Sequence, residues 1–317
     1  MLTCLALLAG CSGKDSVEGM NEGYGLTFSI PGGQLTFFQM SDGHLIRTDA
    51  MGEWTVARAA INVQGSYLIV ADGSRSRIGV ISLPELTELT SVPLGGVPTD
   101  LQISATGDRA YVITQNSNFW VYAVASGHAD TLEIGDAPRR LTLRPTSVQV
   151  WIACAGDSTV RVVELQGPRT LDTLRFGYQP TAVAFSPDGG RAYVALAGTP
   201  GAIIVLNAST YEVEEELAAG SGPFELAVSS DGHFLAAADS VGHRTRVWNL
   251  DSYEYWNIEV GGMAGRIRFS REAHAFFVCS NQLNEVLKID ISTGVPVLTD
   301  TISIVPDLRE LVLWESL

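Results

Sequence analysis

One hairpin recurs along this 317-residue chain at a nearly fixed interval. "PTAVAFSPDGGRAYVALA" begins at Pro180, with echoes in "PTDLQISATGDRAYVITQ" at Pro98, "PRRLTLRPTSVQVWIACA" at Pro138, "PFELAVSSDGHFLAAADS" at Pro223 and "AGRIRFSREAHAFFVCSN" at Ala264. Upstream lie "ARAAINVQGSYLIVADGS" at Ala57 and a weaker copy, "YGLTFSIPGGQLTFFQMS", at Tyr24. Anchored on the tight turn, at positions 33, 65, 107, 146, 189, 232 and 273, the copies are 32, 42, 39, 43, 43 and 41 residues apart. A steady period of this length marks a repeat architecture, in which each unit buries its apolar face against the next.

Within a unit, "TAVAFS" turns tightly into "RAYVAL", and a polar loop leads to "IIVLNAS" and then "VEEELAA". Val, Ile, Tyr and Phe with Gly, Asp and Ser punctuation give four strands per unit and no helix. Four-stranded units of this period stacked radially are β-propeller blades. A sandwich would not produce the period. Seven blades account for residues 24–317 as a single all-β domain. "DLRELVLWES" at 307–316 lies about one period after the last unit and reads as an isolated first strand. It is expected to pair into the N-terminal blade, closing the ring and removing an open sheet edge. "YGLTFSI" reads as that blade's own, least regular, first strand.

Apolar residues make up 46% of the chain and charged residues 17%, which describes a well-cored globular protein. The formal net charge of −15 argues against a nucleic-acid partner, because neutralising phosphates requires clustered Lys and Arg. Only Lys14 and Lys288 are lysines, so nearly all the positive charge is guanidinium. The acidic run "EVEEEL" at 212–217 reads as a solvated outer strand. Cys154 and Cys279 fall in equivalent strands three blades apart, beyond the ~7 Å Cα separation that a disulfide permits. No disulfide is expected.

The N-terminal "MLTCLALLAGC" is apolar but too short to span a bilayer, and it fits a signal-peptide core. Leu8-Ala9-Gly10-Cys11 resembles the bacterial lipobox, which implies cleavage before Cys11 and lipidation of that residue. Residues 1–10 would then be the signal peptide and 11–23 the lipidated Cys with its polar tether. No Lys or Arg precedes the apolar run, as a signal peptide's n-region requires, a departure for which a start codon set too far downstream is the expected reason. Ser12 after the Cys points to the outer membrane, facing the periplasm, with surface exposure as an alternative.

"GPFELAVSSDG", "QPTAVAFSPDGGRAYVA" and "EVLKIDISTG" resemble the YVTN-type repeat of bacterial and archaeal secreted propellers over most of the chain. "TRVWNLDS" resembles the end of a WD repeat, although that family's paired Gly-His and Trp-Asp dipeptides do not recur, so it ranks second. The YVTN resemblance implies a fold rather than an activity.

Five His are present and none stands at metal-ligand spacing, so no metal or other cofactor is predicted. Nor does a nucleophile elbow, P-loop or dinucleotide fingerprint occur. The remaining route to a site is geometric, through the loops from strand four to the next strand one, which ring a propeller's channel. Arg58, Arg139, Arg140, Arg266 and Arg309 sort to that mouth, with Arg139, Arg140 and Arg266 as its expected core. Asp100 and Glu225 are read as the only innermost carboxylates, facing each other across the channel. An Arg-lined mouth suits carboxylate or phosphate ligands; alternatively the Arg pair with acids and hold the ring together. The first functional expectation is a membrane-anchored, non-catalytic scaffold with a protein partner or a small anionic ligand. The alternatives are a lactonase-like hydrolase using the channel and a surface adhesion protein.

Overall fold

The computed structural model describes residues 23–29, 33–52, 54–83, 85–272, 274–304 and 308–315, and no side chain for Arg309. Residues 1–22, with the proposed signal, tether and Cys11, lie outside the described residues. Among the described residues, twenty-eight strands, β1–β28 in chain order, form seven four-stranded antiparallel sheets. The fold is a seven-bladed β-propeller. In the fifth blade β16 (Pro180–Phe185) is innermost, followed outward by β17 (Arg191–Leu196), β18 (Gly201–Asn207) and β19 (Val213–Gly220). β19 carries the acidic run, and its glutamates are exposed as expected.

Burial explains the pattern of each unit. β17 is buried along all but its first residue because both faces pack against neighbouring blades, and the sequence there is continuously apolar rather than alternating. The buried apolar side chains fall into seven clusters, and each lies between two adjacent blades. Ring closure is thus a cohesive interface like the other six: Phe38 and Met40 of blade one meet Phe277, Cys279 and Ile302 of blade seven. Cys154 and Cys279 are free and buried.

The first blade corrects one expectation. Its order is β28 (Leu308–Trp314), β1 (Tyr24–Ser29), β2 (Gln34–Gln39), β3 (Leu45–Ala50). The C-terminal strand does close the ring, but "YGLTFS" is the second strand of its blade and not a first strand. Gly33, in the left-handed region at φ 52°, therefore turns strand two into strand three, whereas Gly65, Gly107, Gly189 and Gly232 turn strand one into strand two. That difference in phase accounts for the short first interval of 32 residues.

The six remaining inner strands are β4 (Val56–Ile61), β8 (Pro98–Ile103), β12 (Pro138–Leu143), β16, β20 (Pro223–Val228) and β24 (Ala264–Ser270). Four begin with Pro, at a position where no ladder donor is required. Register slips by one residue between the first and third positions in β4, β8, β12, β16 and β20, and again between Leu308 and Glu310 of β28. In β24 the slip falls between Ala264 and Ile267. A β-bulge opens the ladder and re-aims the side chain beside it. Here it turns the third residue of every inner strand toward the axis.

Candidate functional site in the central channel

The third positions read, around the ring, Arg58, Asp100, Arg140, Ala182, Glu225, Arg266 and Glu310. Three guanidiniums and three carboxylates thus occupy one layer, with Ala182 as the uncharged seventh. All except Arg58 are buried, and Glu310 is wholly so, with 0% of its side chain exposed. Arg266 lies across the channel: its Nη1 donates to Glu225 at 2.9 Å, and its Nη2 donates to Asp100 at 3.2 Å and stands 3.1 Å from Glu310 Oε2. Arg140 Nε donates to Glu225 Oε2 at 2.7 Å, and Arg58 Nε to Asp100 at 3.1 Å. Arg268, two residues beyond Arg266 and on the same face of β24, reaches Glu225 at 2.9 Å and Glu310 at 3.5 Å. The backbone N–H of Leu141 donates to Asp100 Oδ2 at 3.0 Å.

Burial and these contacts shift the pKa of Glu225, Arg266 and Arg58. Burial raises the Glu225 pKa, but the guanidiniums of Arg266, Arg140 and Arg268 outweigh it and hold the carboxyl well below its ordinary range. Burial lowers the Arg266 pKa, and the three facing carboxylates more than reverse this. At Arg58 burial lowers the pKa and Arg266 and Arg140 lower it further, beyond what Glu310 and Asp100 restore.

The ring divides the channel. Toward the four-to-one loops is a chamber of about 410 Å³, lined by Arg58, Arg140, Arg266, Phe224, Gly265 and Asn281 with Val56 and Ala57. On the other side a chamber of about 550 Å³ has the ring and Arg268 at its base and an apolar collar including Ile103, Leu143, Phe185 and Phe269. Small residues at the fifth positions, Ala60, Ala184 and Ala227 among them, leave that space open.

Of the residues expected at the mouth, Arg58, Arg140, Arg266, Asp100 and Glu225 are brought together. Arg139 is not: it occupies the bulge position, stays exposed, and only its carbonyl takes part, accepting from Arg140 Nη1 at 2.9 Å. Its side chain leaves the channel because the bulge gives the inward direction to residue 140. Arg309 holds the corresponding position in β28, and its side chain lies outside the description. Asp100 and Glu225 do sit on opposite sides of the channel, yet they share the Arg266 guanidinium. Glu310 is a third innermost carboxylate, which overturns the reading of those two as the only ones. Arg268 was missed altogether, although its two-residue offset from Arg266 was a usable signal.

No family model matches the chain. Antigen Lp49 of Leptospira interrogans serogroup Icterohaemorrhagiae is 23% identical over 198 residues, covering 56% of this chain and 43% of its own length. The chain thus spans less than half of that curated relative. A functionally unknown protein from Desulfotomaculum acetoxidans DSM 771 superposes with a TM-score of 0.77 at 15% identity, covering 92% of this chain and 99% of its own. A candidate 6-phosphogluconolactonase from Bacteroides fragilis NCTC 9343 superposes with a TM-score of 0.75 at 13% identity, covering 94% and 99%. At such identities the likeness establishes the propeller fold and nothing about activity.

Proposed function

We propose that this is a lipid-anchored propeller of the bacterial cell envelope that works as a non-catalytic binding scaffold. The observation that carries the reading is the clamped charge layer. A general acid or base works best with a pKa near the operating pH, and Glu225 is held far below it by three guanidiniums. Asp100 and Glu310 also pair with Arg266, at 3.2 and 3.1 Å. Such a layer braces seven blades around a preformed channel and ties each of its three carboxylates to the Arg266 guanidinium. Leu8-Ala9-Gly10-Cys11 supports the anchor, and the relative named as a Leptospira antigen supports an envelope location.

Lipidation is tested by metabolic labelling with a fatty acid and by fractionation of cells producing the full chain or its Cys11→Ala form. The parent should be labelled and sediment with membranes, and Cys11→Ala should be unlabelled and leave the membrane fraction. An unlabelled, soluble parent would refute the anchor.

A further inference from the structure

Building on the reading of the channel as a binding channel, we propose that Arg58, Arg140 and Arg266 form a subsite for a small monocarboxylate bearing a hydroxyl or amide donor next to its carboxylate. The subsite is the chamber on the side of the four-to-one loops.

Among the described residues the cluster holds four guanidiniums, from Arg58, Arg140, Arg266 and Arg268, against the three carboxylates of Asp100, Glu225 and Glu310. One positive charge is left over in the cluster as a whole; Arg268 lines the opposite chamber, so the wall of this one carries the other three guanidiniums. A monocarboxylate neutralises the surplus charge, whereas a phosphate ester carrying a charge of about −1.5 to −2 would overshoot. The Arg fork also fits a planar carboxylate in a bidentate arrangement.

An unspent donor marks the place. The Arg140 side chain is only 7% exposed, and its Nη2 is buried with no hydrogen-bond partner, while Nε and Nη1 are engaged by Glu225 and the Arg139 carbonyl. Buried polar groups are normally paired, so an unpaired donor on a side chain that lines the chamber is a natural partner for a ligand atom. The Phe224 ring lies 4.5 Å from the centre of this guanidinium and covers one face, which leaves the edge for an oxygen.

The chamber's other polar wall has the opposite need. Asn281 lines the same space and its buried Oδ1 has no partner, which makes it the acceptor available to a ligand O–H or N–H. Gly265 keeps room beside it, since a Cβ there would stand 2.5 Å from Asn281 Oδ1. None of the residues lining this chamber is acidic. An acidic group for the guanidiniums and a donor for Asn281, both on one small molecule, describe a hydroxy acid or an acylated amino acid.

The test is calorimetric titration of the full-length protein with glycolate as the simplest such probe, and with acetate and inorganic phosphate for comparison. Glycolate should bind saturably at one site, acetate more weakly because it lacks the donor, and phosphate more weakly than glycolate. Arg140→Gln should weaken glycolate at least about tenfold. Gly265→Ala, which leaves every charge in place, should also weaken it. Asn281→Ala touches no ring charge and should reduce glycolate to the level of acetate, which keeps the test standing if Arg140→Gln fails to fold. Absence of saturable glycolate binding, tighter binding of phosphate, or unchanged affinity in all three variants would overturn the proposal. Failure here alongside capture of an envelope partner would leave the scaffold reading intact. Glycolate binding by a protein that captures no partner would do the reverse.

Discussion

Truncation after Ile304 is expected to leave a chain with no cooperative unfolding transition. The deletion removes β28, a short strand at the end of the sequence, but in space it is the innermost strand of blade one. Leu308 and Leu311 are fully buried and Val312 nearly so. At roughly 2 kcal/mol for each buried aliphatic side chain, their loss alone approaches the 5–15 kcal/mol by which a typical domain is stable. The deletion also takes Glu310, leaving Arg266 and Arg268 short of a carboxylate, and it exposes the inner edge of β1. Circular dichroism and urea unfolding of the truncated chain check this. A cooperative transition within about 1 kcal/mol of the parent would mean that β28 is dispensable. Residues on either side of the closure, Thr27 of β1 and Leu311 of β28, are register partners, so the strand's pairing can also be probed directly by paired substitutions.

Glu225→Gln is expected to cost about 3–5 kcal/mol at neutral pH, as does breaking a buried pair from one side. Glu225 serves Arg140, Arg266 and Arg268 at once, so the isosteric amide leaves three guanidiniums undercompensated inside the channel. Glu214→Gln is the control: it breaks the exposed pair with Arg191, whose side chain is 50% accessible, and should cost less than about 1 kcal/mol. The pH dependence has a definite sign. The folded-state pKa of Glu225 is depressed, so its contribution is complete above the unfolded value of about 4.3 and is lost as pH falls further. The gap between parent and Glu225→Gln should therefore be widest at neutral pH and narrow below about pH 4. Urea midpoints at several pH values measure it, and a gap that widens in acid would contradict the charge layer.

The propeller was legible because its period is carried by turn residues. Glycine turns recur where most inner strands must reverse, at Gly65, Gly107, Gly189 and Gly232, and the lone C-terminal strand had nowhere to pair except the first blade. The phase of blade one was not legible, because a Gly-Gly turn between two apolar strands looks the same whether it joins strands one and two or two and three. The site was legible in part. Arg58, Asp100, Arg140, Glu225 and Arg266 stand at the head of inner strands, which places them near the channel. What local sequence did not reveal is the bulge. It breaks the alternation of sides along a strand, so of two adjacent arginines, Arg139 and Arg140, only the second faces the axis. Aligning the third residues of all seven inner strands would have shown a charged column beside apolar ones, and would have placed Glu310 in it.

A crosslinked affinity purification of the full-length protein from native envelopes, with the Cys11→Ala form in parallel, tests the scaffold reading most directly. The expected result is a stoichiometric protein partner recovered with the parent and lost with Cys11→Ala. Recovery of the propeller alone from both would contradict a membrane-tethered scaffold.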